Sequence, residues 1–144
     1  MPDTARPATA LEDAVARVGD RWALLLVDAL LAGPLRFGDL QESLPGIAPN
    51  VLTQRLRHLE KEGVVVATPY SQRPLRMVYE LTAAGHDLAG ALRLLAQWGA
   101  GAHAPEADAV RHPDCGTALE ARWWCPTCAR TVDEPDDGTG MVRL

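Results

Sequence analysis

The chain has 144 residues, 47% of them hydrophobic, and a net charge of −5. That suits one ordinary domain, or a domain of about 100 residues with an appendage, and is enough to bury a core. No apolar run approaches the roughly 20 residues that span a bilayer, and MPDTARPATA lacks the charged-then-apolar pattern of a secretory leader, so a cytoplasmic protein without a membrane partner is expected.

The acid is unevenly spread. Residues 1–104 hold ten Lys+Arg and eleven Asp+Glu, whereas residues 105–144 hold four and eight. Most of the excess lies in the tail, while Arg55, Arg57, Lys61, Arg73 and Arg76 form a local basic cluster in mid-chain. The overall sign therefore does not exclude a nucleic-acid partner.

In chain order, residues 1–10 contain two prolines and little to bury, and are expected to be disordered. Leu11 to Val18 has Leu11, Ala14, Val15 and Val18 on one face of a short helix. Gly19 ends it and Asp20 is placed to cap the next. Arg21 to Ala32 is apolar almost all round, as a central helix is, and Gly33-Pro34 stops it. Gly38 to Leu44 predicts a helix of two turns with Phe37, Leu40 and Leu44 inward. After the turn 45–48, Pro49 suits the first position of a helix running to Glu62. There Leu52, Leu56 and Leu59 make an amphipathic stripe closed by Gly63. Val64 to Tyr70 and Leu75 to Leu81 read as a β-hairpin tipped by Ser71-Gln72-Arg73-Pro74. Thr82 caps one last long helix to about Trp98, with Leu88, Ala91, Leu92, Leu95 and Trp98 along one side. Gly99 to Pro105 is a linker, residues 105–132 form a separate small unit, and 133–144 an acidic tail.

Two short helices around a tight turn, followed by an arginine-tipped hairpin, are the layout of a winged helix-turn-helix. The expected fold class is mainly α with a small β-hairpin wing. This layout places one helix in a DNA major groove. With Leu52, Leu56 and Leu59 inward, the helical step turns Asn50, Thr53, Gln54, Arg57 and Lys61 outward. Asn or Gln can bond adenine bidentately, Arg can bond guanine, and Lys or Thr can hold phosphates. Asn50, Thr53, Gln54 and Arg57 are the candidates for reading bases. Lys61, Arg73 and Arg76 are candidates for the backbone or minor groove. Arg36 is placed either to touch the backbone or to pair with Asp39.

The stretch GDRWALLLVDALLAGPLRFGDLQESLPGIAPNVLTQRLRHLEKEGVV, followed by RPLRMVYELTAAG, resembles the HxlR-type transcriptional regulators, a branch close to MarR proteins. The matching marks include Trp22, Gly33-Pro34, Arg36-Phe37, Leu44-Pro45-Gly46-Ile47 and Tyr79-Glu80-Leu81-Thr82, and the likeness covers about residues 11–100. It implies a homodimeric winged-helix repressor or activator, joined through its terminal helices and bound to an inverted-repeat operator. A small-molecule effector near Trp22 and Trp98 is a further expectation. Two marks differ. The cysteine that similar proteins often carry before the first helix is replaced by Ala8-Thr9-Ala10, and Ala48 stands where serine is common, losing a helix cap worth about 1 kcal/mol.

His112, Cys115, Cys125 and Cys128 are spaced H-x2-C, nine residues, C-x2-C. Two-residue spacing lets both side chains of a tight turn meet one ion, and this donor set suits tetrahedral Zn²⁺. Residues 117–124 are expected to form the hairpin of a zinc-ribbon-like unit, with Trp123-Trp124 covering the metal or packing on the main domain. An odd, clustered set of cysteines argues against a disulfide framework, and leaves a CxxC redox pair, or free thiols with a surface histidine, as the alternatives. His58, His86 and His103 have no partners at metal spacing and are expected on the surface. No catalytic constellation is present, so an enzyme is not expected. The rival function is a winged-helix module that docks a protein.

Overall fold

The computed structural model describes residues 6–100 and 110–132. The chain divides into two compact units, Met1–Arg93 and Leu94–Leu144. The first is built of helix α1 (Ala10–Val18), α2 (Arg21–Leu30), strand β1 (Leu35–Arg36), α3 (Phe37–Ser43), α4 (Pro49–Lys61), β2 (Val65–Gln72), β3 (Leu75–Leu81) and α5 (Ala83–His86). Helix α6 (Ala89–Ala100) runs on from it.

Order begins earlier than expected from the first ten residues. Thr9 Oγ1 accepts from the Glu12 N–H at 3.2 Å, and the Glu12 carboxylate accepts from the Thr9 N–H at 2.7 Å. This reciprocal capping box satisfies two N-terminal donors, and Arg6 pairs with the same carboxylate at 2.7 Å. These bonds, the Thr9 backbone first, hold the Glu12 carboxyl below its ordinary range. Residues 1–5 lie outside the described ones.

Asp20 caps α2 as expected, accepting from the N–H groups of Trp22 at 3.0 Å and Ala23 at 3.2 Å. Ala23, Leu26, Val27 and Leu30, at i, i+3, i+4 and i+7, are buried, and Leu40, Leu52, Leu56 and Leu59 close around them. Burying each such leucine contributes about 1.5–3 kcal/mol. The expected stripe of α4 is therefore the floor of the core. Its C-terminus is closed by Gly63 at φ +70°, where the left-handed conformation lets the Val64 N–H reach the Leu59 carbonyl at 2.9 Å.

Strand β1 was not expected. It is two residues long and pairs antiparallel with β3, Leu35 against Tyr79 and Arg36 against Val78, giving the sheet order β1-β3-β2. The hairpin is also longer than predicted, since Gln72 pairs with Leu75 and leaves only Arg73-Pro74 at the tip.

The single long helix from Thr82 is divided in two. Thr82 does cap it, accepting from the Gly85 N–H at 3.2 Å, and its hydroxyl lies 2.6 Å from the Gly63 carbonyl oxygen it donates to. After His86 the chain tightens: the Leu88 N–H bonds to Gly85, three residues back, before α6 begins. Gly85 is buried against the Val64 carbonyl, which anchors the short helix where it is. Leu88 and Leu92 pack on the core, but Leu95 and Trp98 are exposed, Trp98 to 83%. Along α1 only Val18 is buried, so the inward face read from the sequence is largely uncovered.

In the C-terminal unit, β4 (Trp123–Cys125) pairs antiparallel with β5 (Arg130–Val132), and Arg111 bridges to Ala118. The expected hairpin over residues 117–124 is replaced by two smaller closures, one for each half of the His/Cys set. Trp123 and Trp124 are exposed. Among the described residues, no helix is long and apolar enough to cross a membrane.

Candidate nucleic-acid interface

Helix α4 carries the candidate reading face. Asn50, Gln54, Arg57 and Lys61 are exposed along one side, opposite Leu52, Leu56 and Leu59. The side chains of Asn50, Gln54 and Lys61 make no hydrogen bond or ion pair among the described residues. Thr53 is half-buried, and its hydroxyl donates to the Pro49 carbonyl at 3.0 Å. The hydroxyl proton is thus used inside the helix. Ala48 provides no side-chain cap, as its identity requires.

Arg55 departs from the expected basic cluster. Its Nε lies 2.8 Å from Asp20 Oδ1, so it ties α4 to the start of α2 instead of joining the outward cations. A second tie holds the far end. Arg17 pairs with Glu62 at 3.1 Å and donates to the Glu62 carbonyl at 2.9 Å. His58 Nε2 meets the Arg17 carbonyl at 2.8 Å, which requires the proton on Nε2. His58 is therefore half-buried and engaged, not a free surface residue; His86 is exposed, with Nδ1 3.0 Å from the Thr82 carbonyl. His103 lies outside the described residues. Each exposed pair contributes little stability by itself, but together they set where α4 sits. Sequence reasoning missed Arg17, His58 and Glu62 because the contacts span more than 40 positions and leave no periodic signal.

Beneath the second half of α4, Tyr79 on β3 has its phenol pushed above the usual range, first by burial and then by Glu60, with Arg57 acting in the opposite direction. Arg57 thus sits near a neutral phenol and a carboxylate, its side chain exposed to solvent.

On the hairpin, Arg73 and Arg76 are exposed at the tip and return strand. Arg36 does not pair with Asp39 through its side chain. The Asp39 carboxylate accepts from the Arg36 backbone N–H at 3.0 Å, and the guanidinium lies over the Tyr70 ring, 4.6 Å from its centroid.

The two tryptophans expected near an effector are in different surroundings. Trp22 is half-buried against the core with the Arg21 guanidinium 4.4 Å from its ring centroid, whereas Trp98 is exposed. A cavity of about 80 Å³ in the first unit is lined by Ala14, Arg17, Val18, Val64, Ala84 and Leu88, and by neither tryptophan.

Each half of the His/Cys set forms a turn. His112 Nδ1 is 3.5 Å from Cys115 Sγ, and Gly116 at φ +71° lets its N–H return to the His112 carbonyl at 2.8 Å. The Cys128 N–H donates to Cys125 Sγ at 3.5 Å. Both thiols are held below their ordinary range, Cys115 by the Thr117 side chain and then its backbone, Cys125 by the Cys128 backbone, the Cys128 side chain and the Thr127 backbone. Among the described residues no three of these ligand types are gathered around one point.

Comparison with known proteins agrees with the architecture. Residues 17–107 match the family model of the HxlR-like helix-turn-helix. The uncharacterized HTH-type transcriptional regulator Rv3095 of Mycobacterium tuberculosis is 36% identical over 132 residues, covering 86% of this chain and 82% of that protein. A span that long must run past residue 107, so the likeness reaches into the C-terminal unit. The reduced form of the transcriptional regulator YodB from Bacillus subtilis superposes with a TM-score of 0.58 at 28% identity, covering 68% of this chain and 96% of that one. A structure described as a transcription factor, PA1374 from Pseudomonas aeruginosa, gives a TM-score of 0.63 at 34% identity over 83% of each chain. With the helix-turn-helix, the wing and this match over most of its length, the chain belongs to the HxlR-like helix-turn-helix family.

Proposed function

We infer that the protein is a sequence-specific DNA-binding transcriptional regulator, acting as a homodimer on an inverted-repeat operator, where occupancy near a promoter represses. The observation that carries this is the outward face of α4. Asn50, Gln54, Arg57 and Lys61 are exposed on one side of a helix whose other side is core. The arginine-bearing hairpin belongs to the same unit. A protein-docking face would instead expose apolar anchors. The dimer is supported by apolar residues left uncovered in a single chain: Leu11 and Val15 on α1, and Leu94, Leu95 and Trp98 on α6. Relatives bearing the name of transcriptional regulators support the same reading.

Selection of duplexes from a random pool by the full-length protein, followed by fluorescence anisotropy at two salt concentrations, tests it. The expected result is preference of about a thousandfold over an unrelated duplex, a steep salt slope, and a symmetric footprint with half-sites about one helical turn apart. Weak, equal binding to all duplexes would point to the protein-docking alternative.

For the C-terminal unit we propose one structural Zn²⁺ held by His112, Cys115, Cys125 and Cys128. The donor set fits: three thiols and an imidazole, with Cys125 Sγ already accepting the Cys128 N–H. The ion would supply folding free energy to a unit in which no side chain of residues 110–132 is buried. Four protein ligands leave no position for a catalytic water. The expected result is one zinc per chain by elemental analysis, lost in Cys125→Ser with the melting of the winged-helix unit unchanged. A metal-free protein with a reversible Cys125–Cys128 disulfide would replace this with a thiol-redox role.

A further inference from the structure

The backbone of Arg36 is fixed twice, by pairing with Val78 on β3 and by the hydrogen bond from its N–H to Asp39. The Asp39 carboxylate is thereby engaged at the start of α3. The Arg36 guanidinium instead stacks on Tyr70. Tyr70 reaches that place through a bulge in β2: Pro69 opposes Met77 and Ser71 opposes Arg76, leaving Tyr70 without a partner on β3. A bulge re-aims the side chain it carries. Both residues are exposed, so the ring is not there to complete the core.

A guanidinium laid on an aromatic face is attracted by the ring quadrupole, and its N–H donors project from the edge of the stack. It keeps its capacity for a bidentate bond to phosphate while its flexible stem is already ordered. Ordering before binding lowers the entropy lost on association. We propose that Tyr70 is a positioning residue for DNA binding, holding the Arg36 guanidinium in place for one backbone phosphate. This rests on the reading of the chain as a DNA-binding regulator. Tyr70 acts through Arg36 and needs no contact with DNA of its own. The bulged tyrosine also joins the start of the helix-turn-helix to the wing.

The test uses full-length protein, the selected duplex and an unrelated duplex, with anisotropy titrations across a salt series. Arg36→Ala should flatten the dependence of log K on log salt by about 0.9 on both duplexes, as loss of one phosphate contact does. Tyr70→Ala should weaken binding about two- to fivefold, the range of an exposed cation–π contact. Tyr70→Phe keeps the ring and should bind as the parent does. In the Tyr70→Ala background, removing Arg36 should have a smaller effect than in the parent. Additive losses, or Tyr70→Phe as weak as Tyr70→Ala, overturn the role of Tyr70 and leave Arg36 as a phosphate contact. An Arg36→Ala protein with unchanged affinity and slope overturns both. Failure of the parent to bind any duplex overturns the regulator reading itself. Thermal melts identical to the parent's are expected for all variants, since neither side chain is buried.

Discussion

Replacing Gln54 and Arg57 together with alanine is expected to lower affinity for the selected duplex by about a hundredfold or more, since each well-placed bidentate base contact discriminates by about 1–3 kcal/mol. Both side chains are exposed on the reading face and neither supports the core, so the double variant should melt with the parent. Binding to an unrelated duplex should fall far less, because phosphate contacts carry that term. Lys61→Ala should behave in the opposite manner, weakening all duplexes alike and flattening the salt dependence. The two candidate positions are three residues apart, so their single-variant losses are not expected to add. Anisotropy on both duplexes checks this. Equal losses on both would remove Gln54 and Arg57 from base reading and reassign them to the backbone.

Gly85→Ala is expected to destabilise the winged-helix unit by about 3 kcal/mol, at the upper end for overpacking a core. A Cβ at this position would stand 2.3 Å from the Val64 carbonyl oxygen and 3.1 Å from the Leu81 side chain. That carbonyl cannot yield easily, because it accepts the Thr82 N–H at 3.0 Å. Relief requires α5 to lift, breaking the bonds through which Thr82 joins the end of α4 to the start of α5. For a domain of this size the melting temperature should fall by more than about 10 °C. Gly90→Ala is the control: its Cβ meets nothing within 4 Å, and alanine is the better helix former. Equal melting temperatures for the two variants would sink the packing account.

Much of this was legible in the residues. Helix α2 is marked by being apolar almost all round, and α4 is strongly periodic, its period alone separating Leu56 from Arg57. The caps at Asp20 and Thr82 were readable because a short polar side chain before an apolar run has few other uses. The start of α1 was overlooked, with disorder expected through residue 10, although Thr9-x-x-Glu12 is a capping-box signature. Strand β1 was not legible: two residues carry no alternation, and only β3 makes them a strand. Likewise the outward-looking Arg55 belongs to the inner contacts because Asp20, distant in sequence, comes to lie beside it. The break after His86 depends on Gly85 fitting under the Val64 carbonyl, a tertiary condition no helical propensity reports. The Arg36–Tyr70 stack needed a bulge to bring it about, and a bulge leaves no mark in hydropathy.

On α4, side chains that hold the fold and side chains free to meet DNA form separate sets. Leu52, Leu56 and Leu59 face the core and Arg55 and His58 dock on neighbouring segments, whereas Asn50, Gln54 and Lys61 touch no partner. If Asn50 and Gln54 read bases as proposed, a mutation at either can change the preferred operator without first passing through a misfolded ancestor. Gene duplicates of such a scaffold can diverge in their targets one substitution at a time, each intermediate still a well-formed protein.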